Sequence, residues 1–233
     1  MLPTEAGKRL YTQVADAIER LESVGAVANR RETPTAIRLG APQEYFSECV
    51  LGRLHGRQGW RLEVNFALTG ELVERLNEGQ LDAVIATQKI ERADLEHILL
   101  AVERFWLVGP PDTGDLPGSL GELERHARLF PLVAYGLELP IVRRFWRQVF
   151  GRRLDAVPEL VLPDLRAIRF AVARGSGFSV LPDYLCRDWV DDRRLRLWLA
   201  PEPSVANEIW LTYRRSARYS AAIGALLALL QSD

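Results

Sequence analysis

From Gly7 onward the apolar positions fall into a regular pattern: Leu10, Val14, Ala17, Leu21, Val24 and Ala28 are spaced four, three, four, three, four. That is a heptad seam, with each apolar side chain lying over the previous one along one helical face. Lys8, Arg9, Glu19, Arg20 and Glu22 lie off the stripe. A lone amphipathic helix of this length does not persist in water, because nucleation is costly and its stripe stays wet. The seam therefore requires a partner, either the same helix of a second chain or the flank of the following domain.

The pattern changes after the polar stretch "ANRRETPT". "AIRLGA" predicts a strand, "EYFSECVLGRLHG" a helix, and "WRLEVNFAL" an alternating strand with Trp60, Leu62, Val64 and Phe66 on one side. "GELVERLNEG" predicts a helix closed by Gly79, and "LDAVIA" a buried strand. Such alternation is the signature of an α/β fold with a mainly parallel sheet covered by helices. "LEHILLAVERFWLVGPP" is long for one strand and reads as two, broken near Ala101 to Glu103. A second unit follows: helix "SLGELERHA", strand "LFPLVAY", helix "PIVRRFWRQVF" and strand "ELVL". Next come a helix opened by Asp164 and closed by Gly175, and the strand "FSVLP". "LWLA" and "EIWLTYR" read as strands, and "SARYSAAIGALLALLQ" as a closing helix. Two lobes with two crossovers fit these elements, as does one doubly wound sheet.

With 233 residues and 48% hydrophobic content, the chain can bury a large core or two smaller ones. Thirty basic and 31 acidic side chains nearly cancel, so the total implies no strongly basic nucleic-acid surface. No stretch is long and apolar enough to span a bilayer, and the start lacks a basic-then-apolar secretory pattern. Cys49 and Cys186 are far apart, which predicts reduced, buried thiols. His55, His97 and His126 share no metal-ligand spacing with them, so no metal site is expected. "RGSGF" follows a helix and precedes a strand, the reverse of a dinucleotide-binding turn, and no nucleophile is paired with a base. Neither an enzyme nor a cofactor is expected.

Several segments, in order, resemble LysR-type transcriptional regulators. "LPTEAGKRLY" is similar to the end of that family's DNA-binding wing and the start of its linker helix. "RLGAP" resembles the first strand and turn of the effector domain, and "GELVERLNEGQLDAVIA" its helix–Gly–x–Leu–Asp unit. "RFWLVGPP" resembles the crossover into the second lobe, and "VARGSGFSVLP" the Gly-x-Gly turn before an apolar strand and proline. The resemblance implies two Rossmann-like lobes of periplasmic-binding-protein type, joined by two crossover strands and preceded by a long linker helix. The implied boundaries are 1–32 for the wing end and linker helix, 36–102 plus 205–233 for lobe I, and 103–204 for lobe II.

It also implies a cytoplasmic regulator that dimerises through the linker seam, with tetramers within reach, and that senses a small metabolite held between its lobes. The family's winged helix-turn-helix precedes the residues with which this sequence starts, so promoter DNA is expected only through that head. Arg30 and Arg31 read as a solvated linker rather than a DNA grip. The alternative is a stand-alone small-molecule-binding protein of the same fold without DNA-binding activity.

In open α/β sheets ligands gather at the carboxyl ends of strands, beside helix N-termini. The first candidate loop is therefore "GAPQEY", with Pro42, Gln43 and Glu44. The family typically offers a Ser or Thr here to an effector carboxylate. Gln43 can donate and accept, whereas Glu44 would repel a carboxylate unless turned away, and is expected to favour its helix N-terminus. That leaves room for a neutral or basic effector. By family position Ala86 and Thr87 stand at the third strand's exit, with Thr87 the only hydroxyl there. Tyr135 and Gly136 stand at the matching exit of the second lobe. Tyr135 could stack on a ligand, donate to it, or simply pack the rim. Pro163 belongs to another strand-to-helix exit, where Asp164 reads first as an N-cap. Ser176 is a candidate pocket residue, while Gly175 and Gly177 serve the turn. Asp82 is expected to brace its strand rather than touch ligand, and Trp106, Trp146 and Trp210 to pack the core or hinge.

Overall fold

The computed structural model describes residues 14, 15, 18, 35–54 and 59–231. Val14, Ala15 and Ile18 are helical and exposed. Of the seam, Leu10, Ala17, Leu21, Val24 and Ala28 lie outside the described residues, as do Arg30, Arg31 and His55.

The chain divides into two compact units. The first holds the described residues up to Pro42, Arg53–Ile98 and those from Trp210 onward; the second holds Gln43–Gly52 and Leu99–Ile209. Strand β1 (Thr35–Ala41) leads into a helical segment, α1. α1 consists of an α turn Gln43–Tyr45, a π turn Phe46–Val50 and a 3-10 turn Leu51–Arg53. Then come β2 (Trp60–Phe66), α2 (Thr69–Asn77), β3 (Ala83–Ala86) and β4 (Leu95–Gly109). α3 (Leu120–Ala127), β5 (Val133–Ala134), α4 (Pro140–Phe150), β6 (Leu160–Val161) and α5 (Leu165–Ala173) follow. β7 (Ser179–Pro182), α6 (Asp183–Asp191), β8 (Arg196–Leu199), β9 (Ala206–Arg214) and α7 (Ala221–Gln231) complete the chain. The chain passes between the units along β4 and again along β9, and also at either end of Gln43–Gly52. The two strand crossovers are those of periplasmic-binding-protein lobes.

In the first unit β2, β1 and β3 are parallel, and β9 adds antiparallel to β3. Every residue of β3 is buried, as a strand covered on both faces requires. Leu72, Val73 and Leu76 of α2 pack with Leu81, Val84, Ala86 and Leu95. The backbone of β1 comes close to that helix at Gly40, where a Cβ would meet Leu72 and Leu81 at 2.9 and 2.8 Å. Asp82, just before β3, is buried but fully engaged. Its Oδ2 accepts from the Arg38 amide at 2.7 Å, and its Oδ1 from the Arg38 guanidinium at 2.7 Å. It thus locks β3 to β1, the bracing role its sequence position suggests.

The second unit alternates with period two. Phe105 and Leu107 of β4, Leu132 and Ala134 around β5, and Phe178 and Val180 around β7 enter one core with α3 and α4. Their neighbours Val108, Val133 and Leu181 enter the other, with α5 and α6. Successive strand side chains point to opposite faces, so a sheet sandwiched by helices makes both sets apolar. Trp146 and Phe145 are fully buried in the first of these cores, where Trp198 stacks on Phe178 at 5.7 Å. Gly177, with φ 133°, closes against the Pro131 carbonyl, where a Cβ cannot fit.

Three expectations are corrected. β4 is one unbroken strand of 15 residues. The charge of Glu103 reads as a break, but its carboxylate is accommodated mid-strand because Asn207 of β9 donates to it at 2.8 Å. α1 is not a uniform helix and ends at Arg53; the Leu51 amide bonds the Phe46 carbonyl, five residues back, which keeps Tyr45, Phe46 and Val50 buried together. Neither cysteine is in a disulfide, but only Cys186 is buried; Cys49 is half-buried. Burial pushes the Cys186 thiol up to about 12.

Replacing Asp82 by Ala leaves the Arg38 amide and guanidinium without their acceptor. The expected loss is about 2 kcal/mol, with Asp82→Asn intermediate. A urea titration checks it through a lower midpoint at unchanged slope.

Candidate functional site

The parallel strands of each unit end where hydrophobic burial ends, and polar side chains collect there. In the first unit Thr69 opens α2 and Thr87 follows β3. Their hydroxyl oxygens are 3.2 Å apart, and the Thr87 amide donates to Thr69 Oγ1 at 3.4 Å. Thr87 is therefore not the only hydroxyl at this exit. A hydroxyl opening a helix directly after a strand is the signal that would have marked Thr69. Ala86 is fully buried and packs the core, and Pro42 is half-buried.

In the second unit β5 and β6 are parallel, and the Leu162 amide donates to the Ala134 carbonyl at 2.9 Å, so their exits lie side by side. Tyr135 and Gly136 leave one exit, Pro163 and Asp164 the other. Asp164 caps α5, its Oδ1 accepting from the Arg166 amide at 2.7 Å and the Ala167 amide at 3.0 Å. Glu44 is not confined to its own helix: its Oε1 accepts from the Leu165 amide at 3.2 Å. The first three amides of α5, which could cradle an anion, are thus all taken by carboxylates of the protein.

The tie between α1 and α5 extends beyond Glu44. Arg166 Nη1 lies 3.5 Å from Ser47 Oγ, and Arg169 Nη2 lies 3.7 Å from Glu48. Tyr45 meets Tyr184 edge to face at 5.7 Å. Tyr135, 44% exposed, completes the face. Burial raises its phenol pKa, and the negative charges of Glu44 and Asp164 raise it further. Burial opposes the charge of Asp164, but the Ala167 and Arg166 amides and the Arg166 guanidinium outweigh it and hold its pKa below the usual carboxylate range. Three carboxylates, Glu44, Glu48 and Asp164, stand against two guanidiniums, those of Arg166, 3.6 Å from Asp164, and Arg169. The face is acidic, with a phenol at its edge.

The predicted residues divide accordingly. Glu44, Tyr135 and the Pro163–Asp164 turn come together. Gln43 is exposed beside them. Ser176 is exposed beyond the opposite end of α5, away from Asp164 by the length of a nine-residue helix, about 14 Å.

Residues 30–233 match the family described as the LysR substrate binding domain. The chain belongs to that family. It is 31% identical over 200 residues to the HTH-type transcriptional regulator AbaB of Streptomyces antibioticus, a match covering 79% of this chain and 64% of AbaB. The chain thus spans less than two thirds of that relative's length. Among solved structures it resembles ArgP of Mycobacterium tuberculosis, with TM-score 0.76, 16% identity, and 97% of this chain and 77% of ArgP covered. Full-length LysG of Corynebacterium glutamicum with bound effector Arg aligns with TM-score 0.70, 16% identity, and 97% and 77% covered. As a LysR effector-binding domain, the chain is a regulatory rather than a catalytic unit. No helix among the described residues is long and apolar enough to cross a membrane.

Asp164→Ala removes the α5 cap and is expected to cost about 1 kcal/mol at pH 7. A carboxylate with a depressed pKa stabilises the fold fully above the ordinary aspartate value of 3.8. That contribution is lost as pH falls through the lowered value. Thermal unfolding of both proteins across pH 2 to 7 should therefore show their gap closing below about pH 4.

Proposed function

We propose that this chain is the effector-sensing and oligomerising portion of a LysR-type DNA-binding regulator, and that its effector carries a positive charge. The observation that carries the second part is the occupancy of the α5 N-terminus by Glu44 and Asp164. An incoming carboxylate would find neither a free amide nor a favourable field there, whereas an ammonium or guanidinium group would find two carboxylate acceptors. Tyr135 supplies a ring face for a cation or a phenol for a hydrogen bond. Gln43, Gly136 and Pro163 shape the rim of this face. Pro42, Ala86 and Thr87, with Thr69, are the first unit's polar exit, and Ser176 is the member with least support. LysG was solved with Arg bound, which agrees with a basic ligand class on this fold.

The remaining parts of the regulator follow from the family. Promoter DNA is reached through an N-terminal head of the kind that gives AbaB its HTH-type name. The linker seam Leu10, Val14, Ala17, Leu21, Val24 and Ala28 pairs two subunits. Dimers, and tetramers built from them, act in the cytoplasm. The lobes are taken as 36–102 plus 205–233 and 103–204, after a wing-end and linker segment 1–32. Effector binding shifts the lobes only as far as it favours one arrangement over another.

Calorimetric titration with L-arginine and L-lysine tests the charge assignment. Glu44→Gln should weaken binding about tenfold and Tyr135→Ala several-fold, with unfolding temperatures little changed. Binding of benzoate or another purely anionic probe in preference to both amino acids would overturn the assignment, as would an unaltered affinity in Glu44→Gln.

A further inference from the structure

The far end of α4 carries a second charged feature, of opposite sign and unrelated to the acidic face. Arg143 and Arg147 stand four residues apart on the exposed side of α4. Gly151 takes the left-handed conformation, φ 65°, and turns the chain so that Arg152 and Arg153 join them. These four arginines and Gly151 line a surface concavity of about 370 Å³ with no acidic side chain in its wall.

One arginine of the set is braced. Arg152 Nη1 lies 3.4 Å from Glu124 Oε2. Glu124, only 3% exposed, also holds Arg128 at 2.8 Å and accepts from the Trp146 indole at 3.3 Å. These partners hold the Glu124 pKa low even though its burial works the other way. Arg144, the neighbour that turns inward, bonds Asn207 at 2.8 Å and lies over Phe105. By contrast Arg143, Arg147 and Arg153 have no side-chain partner among the described residues. The helix C-terminus favours a cation in its last turn, which accounts for Arg147. It does not account for four guanidiniums converging on one concavity, where like charges four apart on a helix repel.

We propose that this concavity binds a compact polyanion bearing several phosphate or sulfate oxygens. The guanidinium forks match such oxygens bidentately. Because the helix end itself disfavours an anion, the arginine side chains alone carry the affinity. The concavity suits a small, highly charged group better than a duplex, whose phosphates lie along an extended ridge.

Titration of the full chain with inorganic tripolyphosphate at moderate salt tests this. Saturable one-to-one binding is expected, weakened about tenfold in Arg143→Ala with Arg153→Ala. Binding should be retained in a control that removes two exposed arginines elsewhere, Arg174→Ala with Arg193→Ala. Arg143→Lys with Arg153→Lys should recover only part of the affinity, since lysine keeps the charge and loses the fork. Thermal unfolding of each variant separates lost binding from lost folding. No saturable binding, or equal losses in the concavity and control variants, would overturn the proposal. A random-sequence DNA duplex that binds this patch and is not displaced by tripolyphosphate would overturn it too, in favour of a nucleic-acid surface.

Discussion

Helices cover both faces of the sheet in each unit, and that constraint governs where polar chemistry can occur. A strand buried on both sides has no solvent face to carry charge, so β3 is buried throughout and β4, β5 and β7 send alternate apolar residues into two separate cores. Polar groups are left with the strand ends and with positions where a partner reaches them. Asp82 and Glu103 are of the second kind. Asp82 is held by Arg38. Glu103 is buried deeply enough that its pKa is raised, with Asn207 and Arg144 only partly opposing that rise. The Thr69–Thr87 pair and the Glu44–Tyr135–Asp164 face are of the first kind.

The order of elements was legible because it rests on local patterns: the period-two run at Trp60–Phe66, the helical stripe of Leu72, Val73 and Leu76, and the Asp164 cap before an apolar helix. The misreadings arose where a distant residue decides the outcome. Glu103 looks like a strand break until Asn207, 104 positions away, is seen donating to it. The uneven α1 looks like an ordinary helix until its buried side chains demand a π turn. α6 passes without notice in the charged stretch after Pro182, although its buried Leu185 and Cys186 complete a core.

The candidate site was legible in the same uneven way. Strand exits can be located from sequence, so Thr87, Tyr135 and Pro163 could be named. The role of Glu44 could not, because the donor it accepts from, the Leu165 amide, comes 121 residues later. Family pattern places a hydroxyl donor near this helix start, and the sequence suggests a glutamate that favours its own helix N-terminus. Instead its carboxylate occupies a backbone amide that an anionic ligand would need. Its negative charge thereby joins that of Asp164 at the start of α5.

The two charged features of the second unit follow from one property of helices, used at opposite ends. The N-terminus of α5 concentrates positive potential and is neutralised from within the protein by two carboxylates, which leaves an acidic surface. The C-terminal end of α4 concentrates negative potential and is answered by arginines in numbers greater than that end requires. Where the internal countercharge exceeds the dipole it answers, the surplus faces outward and sets what can bind. The acidic surplus at α5 and the basic surplus at α4 thus lie on one unit with opposite signs.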